Sequence, residues 1–249
     1  MHPPPELDYI LHTRVETGPA ERSAQPPQLD LCMTEHTMKL YNFFRSGTSH
    51  RLRIALNLKG IATDYVAVDL RVDEQLNAPF KAVNPQGMVP ALDTGEQVMI
   101  QSPAIIEWLE EKYPTPALLP ADADGRARVR ALSAIVGCDI HPINNRRILQ
   151  TLRKQFGANE DTINAWCATW ISAGFDAYEA LLASDKQRGR FSYGDAPSMA
   201  DVYLIPQVES ALRFKVDMNR WPLISAVDKA CGELEAFQKA APLAQPDAG

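Results

Sequence analysis

Residues 39–60 read KLYNFFRSGTSHRLRIALNLKG, and the fold follows from how that stretch divides. Leu40, Tyr41, Phe43 and Phe44 suit a short buried strand. Arg45, Ser46, Gly47, Thr48 and Ser49 then interrupt the apolar pattern with small polar side chains. Leu52, Ile54, Ala55, Leu56 and Leu58 return at helical spacing, and Gly60 stands where a helix would stop. Strand, turn and helix follow one another, with hydroxyls and an arginine crowded at the helix start. Free backbone N–H groups and the positive end of the helix dipole gather there, so the spot favours an anion. A plain capping role for Ser49 or Thr48 fits the same residues.

Downstream, residues 65–70 (YVAVDL) read as a second strand and residues 73–83 as a short polar helix that Asn84-Pro85 ends. Strands follow at 91–93 and 97–100 around a turn at Thr94-Gly95, and Ser102 opens a helix through Tyr113. This order predicts a mixed sheet with helices packed on it. Pro114, Pro116 and Pro120 mark a linker, and from Ala123 the chain is almost all helix. One long pattern through Val129, Leu132 and Val136 meets Pro142 and continues to Leu152, which predicts a kink near His141-Pro142. Further helices are expected over 161–183, after the capping signal Ser198-Met199-Ala200-Asp201, and over 227–240, with 242–249 as a tail. Residues 1–37 are broken by prolines and carry no periodicity, so they read as a disordered extension, with translation starting at Met33 or Met38 as an expectation.

The chain of 249 residues is long enough for one large domain or two small ones. A net charge of −6 argues against nucleic acid or an anionic membrane as partner, and no apolar run is long enough to span a bilayer. Cys32, Cys138, Cys167 and Cys231 are far apart and form no C-x-x-C, which fits reduced thiols in a cytoplasmic protein and no metal site. Cys138 and Cys167 fall in helical patterns and read as small core filler. No cysteine stands at the first helix, so any thiol chemistry there needs a thiol from outside the chain.

The segment RSGTSHRLRIAL resembles the active-site stretch of zeta-class glutathione S-transferases, which runs close to RSSCS-x-RVRIAL and includes the maleylacetoacetate and maleylpyruvate isomerases. Gly47 and Thr48 replace the Ser-Cys of many relatives, as in the bacterial maleylpyruvate isomerases. The resemblance covers about 38–247. It implies a glutathione transferase fold: an α/β thioredoxin-like, glutathione-binding domain over 38–119 and an all-α, substrate-binding domain over 123–249. NPQGMVPAL is similar to the loop that holds glutathione's backbone, with the bond before Pro90 cis and the N–H and C=O of Val89 open to pair with an extended tripeptide. Gln101 and Ser102 match the pair that binds the γ-glutamyl end, and Gln75 lies near the glycyl carboxylate. The stretch 139–147, DIHPINNRR, resembles that of the bacterial isomerases.

Glutathione binding is thereby assigned to Ser46, Gly47, Thr48, Gln75, Val89, Pro90, Gln101, Ser102, His141 and Asn145. Spacing places His141 and Asn145 on one helix face if the kink permits. Ser46 or Thr48 would hold the thiolate, with Arg45 beside them as the third catalytic group. Arg45, His141, Asn145, Arg146, Arg147 and Arg213 would form a pocket for a dicarboxylate, because guanidinium matches carboxylate in fork geometry. The expected activity is glutathione-dependent cis–trans isomerisation of maleylpyruvate to fumarylpyruvate by a homodimer. Maleylacetoacetate isomerisation comes second, and a general glutathione transferase or a non-catalytic scaffold are the other classes.

Overall fold

The computed structural model describes residues 37–249. The expected disordered extension, with Cys32 and Met33, lies outside the described residues except for Thr37. Strand β1 (Met38–Asn42) is central. It pairs in parallel with β2 (Thr63–Ala67) and antiparallel with β3 (Ala91–Asp93), which pairs with β4 (Val98–Ile100). The sheet order is β2-β1-β3-β4. Leu40 sits opposite Leu92, and both are buried.

Helix α1 (Gly47–Leu58) ends as its sequence implies. Gly60 takes φ +67°, its N–H donates to the Asn57 carbonyl, and the Ile61 N–H reaches back to Leu56. These are the paired bonds of a glycine-terminated helix. Helix α3 (Ser102–Lys112) packs beside α1. Leu52, Leu56, Ile105, Ile106 and Leu109 join Leu40 and Leu92 in a core that continues without a break into the helical part. A buried ion pair seals the join: Lys59 Nζ donates to Glu110 at 2.7 Å and to the Tyr113 and Pro116 carbonyls, while Glu110 accepts the Leu118 and Leu119 N–H groups.

Several elements differ from the sequence reading. The second strand starts two residues earlier than expected and stops at Ala67, because Asp69 turns the chain by accepting the Arg71 N–H. The polar helix expected over 73–83 is a short 3₁₀ turn (Glu74–Leu76) followed by α2 (Ala78–Val83), and another 3₁₀ turn (Leu70–Val72) precedes it. Asp73 lies at φ 57°, which a continuous helix cannot accommodate. The long kinked helix is a true break. Helix α4 (Ala123–Ala134) runs into a π-helical turn (Ile135–Ile140), residues 141–145 form turns, and α5 (Arg146–Phe156) starts afresh. Pro142 brings no N–H to extend the ladder, and the Asn145 side chain caps the Arg147 N–H. The π turn also rotates Cys138 outward, so it is exposed and not core filler, whereas Cys167 is buried.

Helices α6 (Glu160–Ser184) and α7 (Met199–Arg213) form the core of the helical part. Asp201 accepts the N–H and hydroxyl of Ser198 at 2.7 and 2.9 Å, so the capping signal is used as read. The last helices, α8 (Pro222–Gly232) and α9 (Glu235–Ala240), begin five residues before the expected start. The segment read as a tail is docked. Asp247 accepts the Phe44 N–H at 3.0 Å and the Tyr65 hydroxyl, and Ala248 packs on the Phe43–Phe44 cluster.

Candidate active site

The start of α1 has a different cap from the two considered. Ser46, not Ser49 or Thr48, is the N-cap: its Oγ accepts the Ser49 N–H at 3.3 Å. Ser49 turns inward and accepts the Phe43 N–H at 3.4 Å. The Ser46 and Thr48 hydroxyl oxygens are 3.0 Å apart, and Thr48 donates to the Val89 carbonyl at 3.0 Å. A hydroxyl has one proton to give. With the Thr48 proton on Val89, the Ser46 proton is the one that can turn to an incoming anion.

The loop before β3 lies against this turn. The Val89–Pro90 bond is cis. Asn84 shapes the loop by donating to the Met88 carbonyl at 2.6 Å and accepting the Gln86 N–H. The Val89 carbonyl accepts from Thr48, so among the described residues only its N–H is left without a protein partner, against the expectation that both groups stay open. Gln101, at φ 69°, occupies the cap position of α3 and donates to Gln86 at 2.6 Å. Ser102 is therefore the first helical residue and not the cap. Its hydroxyl is buried and has no partner among the described residues.

The arginines divide into two kinds. Arg45 is exposed, with its guanidinium 5.1 Å from the Phe44 ring centre. Arg213, at the end of α7, donates to Ser210 at 3.0 Å and to the Arg45 carbonyl at 3.5 Å. Neither has a carboxylate partner among the described residues. Desolvation, and then the neighbouring Arg45 charge, push the Arg213 pKa down. Two cations held side by side without a counter-ion make a site for an anion. Arg146 is different: it pairs with Asp73 at 2.6 Å across the cleft mouth, and Gln75 donates to the same oxygen. Arg147 is exposed. His141 ends the π turn and Asn145 caps α5, so the two do not share a helix face. Burial, Arg51 and Arg213 together lower the His141 pKa to about 3, so it meets a ligand as a neutral imidazole.

All the residues singled out from sequence line one cleft of about 560 Å³ between the sheet part and the helical part. The same cleft collects the unmet polar groups. Among the described residues, every buried side-chain polar atom without a partner belongs to His50, Arg51, Gln75, Ser102, Asn144 or Gln207, and each lines this cleft. Buried polar groups are nearly always satisfied in folded proteins, so such a concentration marks a place where a polar ligand completes the bonding. Among the described residues, no cysteine lines it. Sequence reasoning missed Arg51, buried with its guanidinium 4.5 Å from the Tyr203 ring centre. It also missed Asp73, Asn84, Gln86, Asn144 and Gln207. The capping box gave the face of α7 no signal at Gln207, and Asn84-Pro85 was legible only as a helix end.

Comparison with known proteins gives the site its relatives. Residues 40–117 match the family model described as glutathione S-transferase, N-terminal domain. The chain is 76% identical over 210 residues to maleylpyruvate isomerase of a Ralstonia species, covering 84% of this chain and 99% of that protein. It is similar to a solved holo structure of maleyl pyruvate isomerase, described as a bacterial zeta-class glutathione S-transferase. The identity is 75% and the TM-score 0.84, with 85% of this chain and 100% of that one covered. It also resembles maleylacetoacetate isomerase from Methylobacterium extorquens, solved with malonate and glutathione, at 37% identity and a TM-score of 0.82 over 85% of this chain and 99% of that one.

Proposed function

The chain belongs to the zeta class of glutathione S-transferases, and from that premise we propose that it is a glutathione-dependent cis–trans isomerase converting maleylpyruvate to fumarylpyruvate. The observation that carries the reading is the meeting, in one cleft that no cysteine lines among the described residues, of a hydroxyl pair at a helix start and two guanidiniums with no carboxylate partner among those residues.

The residues present fit glutathione. The Val89 N–H offers an extended peptide a strand-like partner, and Gln101 and Ser102 stand at the start of α3 for a carboxylate; Gln75, whose amide N–H donates to Asp73, offers its unmet oxygen to an N–H of the tripeptide and not, as expected from sequence, a donor to the glycyl carboxylate. When bound, glutathione would supply a thiolate able to add to the cis double bond, leaving a single bond free to turn, and to leave again as the trans double bond re-forms. Ser46 holds the sulfur charged through its hydroxyl proton, helped by the positive end of α1. Arg45 and Arg213 orient the diacid and offset negative charge as it builds. Neutral His141 faces the α1 start, 3.7 Å from where a side chain on Gly47 would begin. Arg146, already paired with Asp73, acts at the mouth of the cleft by holding its two walls together and is not a free carboxylate partner.

A maleylacetoacetate reading stands second, favoured by the likeness to the Methylobacterium protein at lower identity. We place the enzyme in the cytoplasm as a homodimer, following its class. Among the described residues, no helix is long and apolar enough to cross a membrane. Proton NMR of maleylpyruvate with catalytic glutathione tests the proposal. Trans product with glutathione undiminished is expected. Net consumption of glutathione would indicate a conjugating transferase, and turnover in thiol-free buffer would exclude the mechanism.

A further inference from the structure

We propose that Gln207 is a substrate-recognition residue whose side-chain amide donates a hydrogen bond to a ketone oxygen of the diacid. The inference rests on the isomerase reading above. Gln207 lies on α7, the helix that carries Arg213, and is only 3% exposed. Its Nε2 has no protein partner, and the residue lines the cleft. The adjoining Pro206 lies 4.0 Å from where a Cβ on Gly47 would stand, so this part of α7 faces the start of α1.

Sorting the unmet groups by wall and by charge singles Gln207 out. Gln75 and Ser102 belong to the sheet part, beside the Val89 loop suited to a peptide. His50 and Arg51 sit on α1 itself. Asn144 lies in the turn before α5 and is only partly buried. Among the described residues, Gln207 alone is an unpartnered, almost wholly buried donor on the helical wall. Guanidiniums match carboxylates, and the cleft already has Arg45 and Arg213 for those. A neutral amide brings a donor without charge, which suits a ketone. In the proposed reaction that ketone is conjugated to the double bond. As the double bond is attacked, charge moves onto the ketone oxygen, so a donor fixed there binds the transition state better than the ground state.

A carbonyl of the tripeptide is the same kind of acceptor, and the test separates the two. Binding is measured by calorimetry with S-methylglutathione present, so that no turnover occurs. The probes are 4-oxoheptanedioate and heptanedioate, matched diacids with and without a ketone. Gln207→Met, of similar length but lacking the donor, is expected to bind the ketone diacid about tenfold more weakly. Heptanedioate and glutathione affinities stay unchanged, which also reports an intact fold, and kcat falls. Gln207→Asn, which keeps a donor one carbon short, is expected to fall between. Equal weakening of both diacids, a loss confined to glutathione, or no change in either diacid would overturn the assignment. If the wild-type protein binds both diacids yet does not isomerise maleylpyruvate, the isomerase reading fails, and the diacid comparison still decides Gln207.

Discussion

Ser46 and Thr48 were equivalent in the sequence, two hydroxyls near one helix start. The structure separates them through the Val89 carbonyl, which takes the Thr48 proton. Ser46→Ala is therefore expected to raise the pKa of bound glutathione's thiol by about one unit, the worth of one hydrogen bond to a charged group. Thr48→Ala is expected to change it less, and thiolate ultraviolet absorbance against pH checks both. Arg45→Ala and Arg213→Ala are each expected to lower kcat/KM for the diacid about a hundredfold, the scale of a charge-assisted bond, while glutathione affinity holds. Steady-state kinetics beside calorimetry would show equal losses of both if the arginines were merely structural. His50 makes a pH prediction. Burial, and then Arg53, lower its pKa from 6.5 to about 3. The unfolded chain takes up a proton as pH falls below 6.5, and the folded chain does not until near 3. The His50 contribution to stability is thus full well above pH 6.5 and declines towards about 1.4 kcal/mol per pH unit below it. Urea denaturation of wild type and His50→Gln between pH 7 and 5 is expected to show a shallower decline in the variant.

At the scale of elements, local signals are legible in the sequence and long-range ones are not. The β1–turn–α1 unit, the glycine stop at Gly60 and the Ser198–Asp201 cap are set by residues within a few positions, and the chain displays them openly. The break after Ile140 looks like a kink in the sequence because apolar spacing continues past Pro142, while the cap that restarts the helix is a single Asn145. The docking of residues 242–249 depends on contacts some two hundred positions away. Arg53 binds the Ala240, Phe43 and Phe44 carbonyls, and Asp247 binds the Phe44 N–H. These bonds tie the chain's end to the residue before Arg45. Asp247→Ala is expected to cost about 2 kcal/mol by orphaning that N–H. It is also expected to raise KM for the diacid more than the Kd for glutathione, because Arg45 loses its anchor. Denaturation and kinetics together check this.

For the whole molecule, every sequence-derived candidate converges on one cleft, yet the cleft's own logic was invisible in one dimension. Charge and hydroxyl content pointed to an anion, but only the folded chain reveals which cations are spent and which are free. Arg146 is bound to Asp73, and Arg53 is built into the backbone of the turn, whereas Arg45 and Arg213 stand together with no carboxylate partner among the described residues. The central claim is that the protein lends no sulfur and instead holds a borrowed thiolate against a diacid. A crystal structure with glutathione and 4-oxoheptanedioate bound tests it most directly. The account predicts the glutathione sulfur within hydrogen-bonding reach of Ser46 Oγ and a diacid carboxylate against Arg45 and Arg213. A sulfur turned away from Ser46, or a diacid bound outside this cleft, would contradict it.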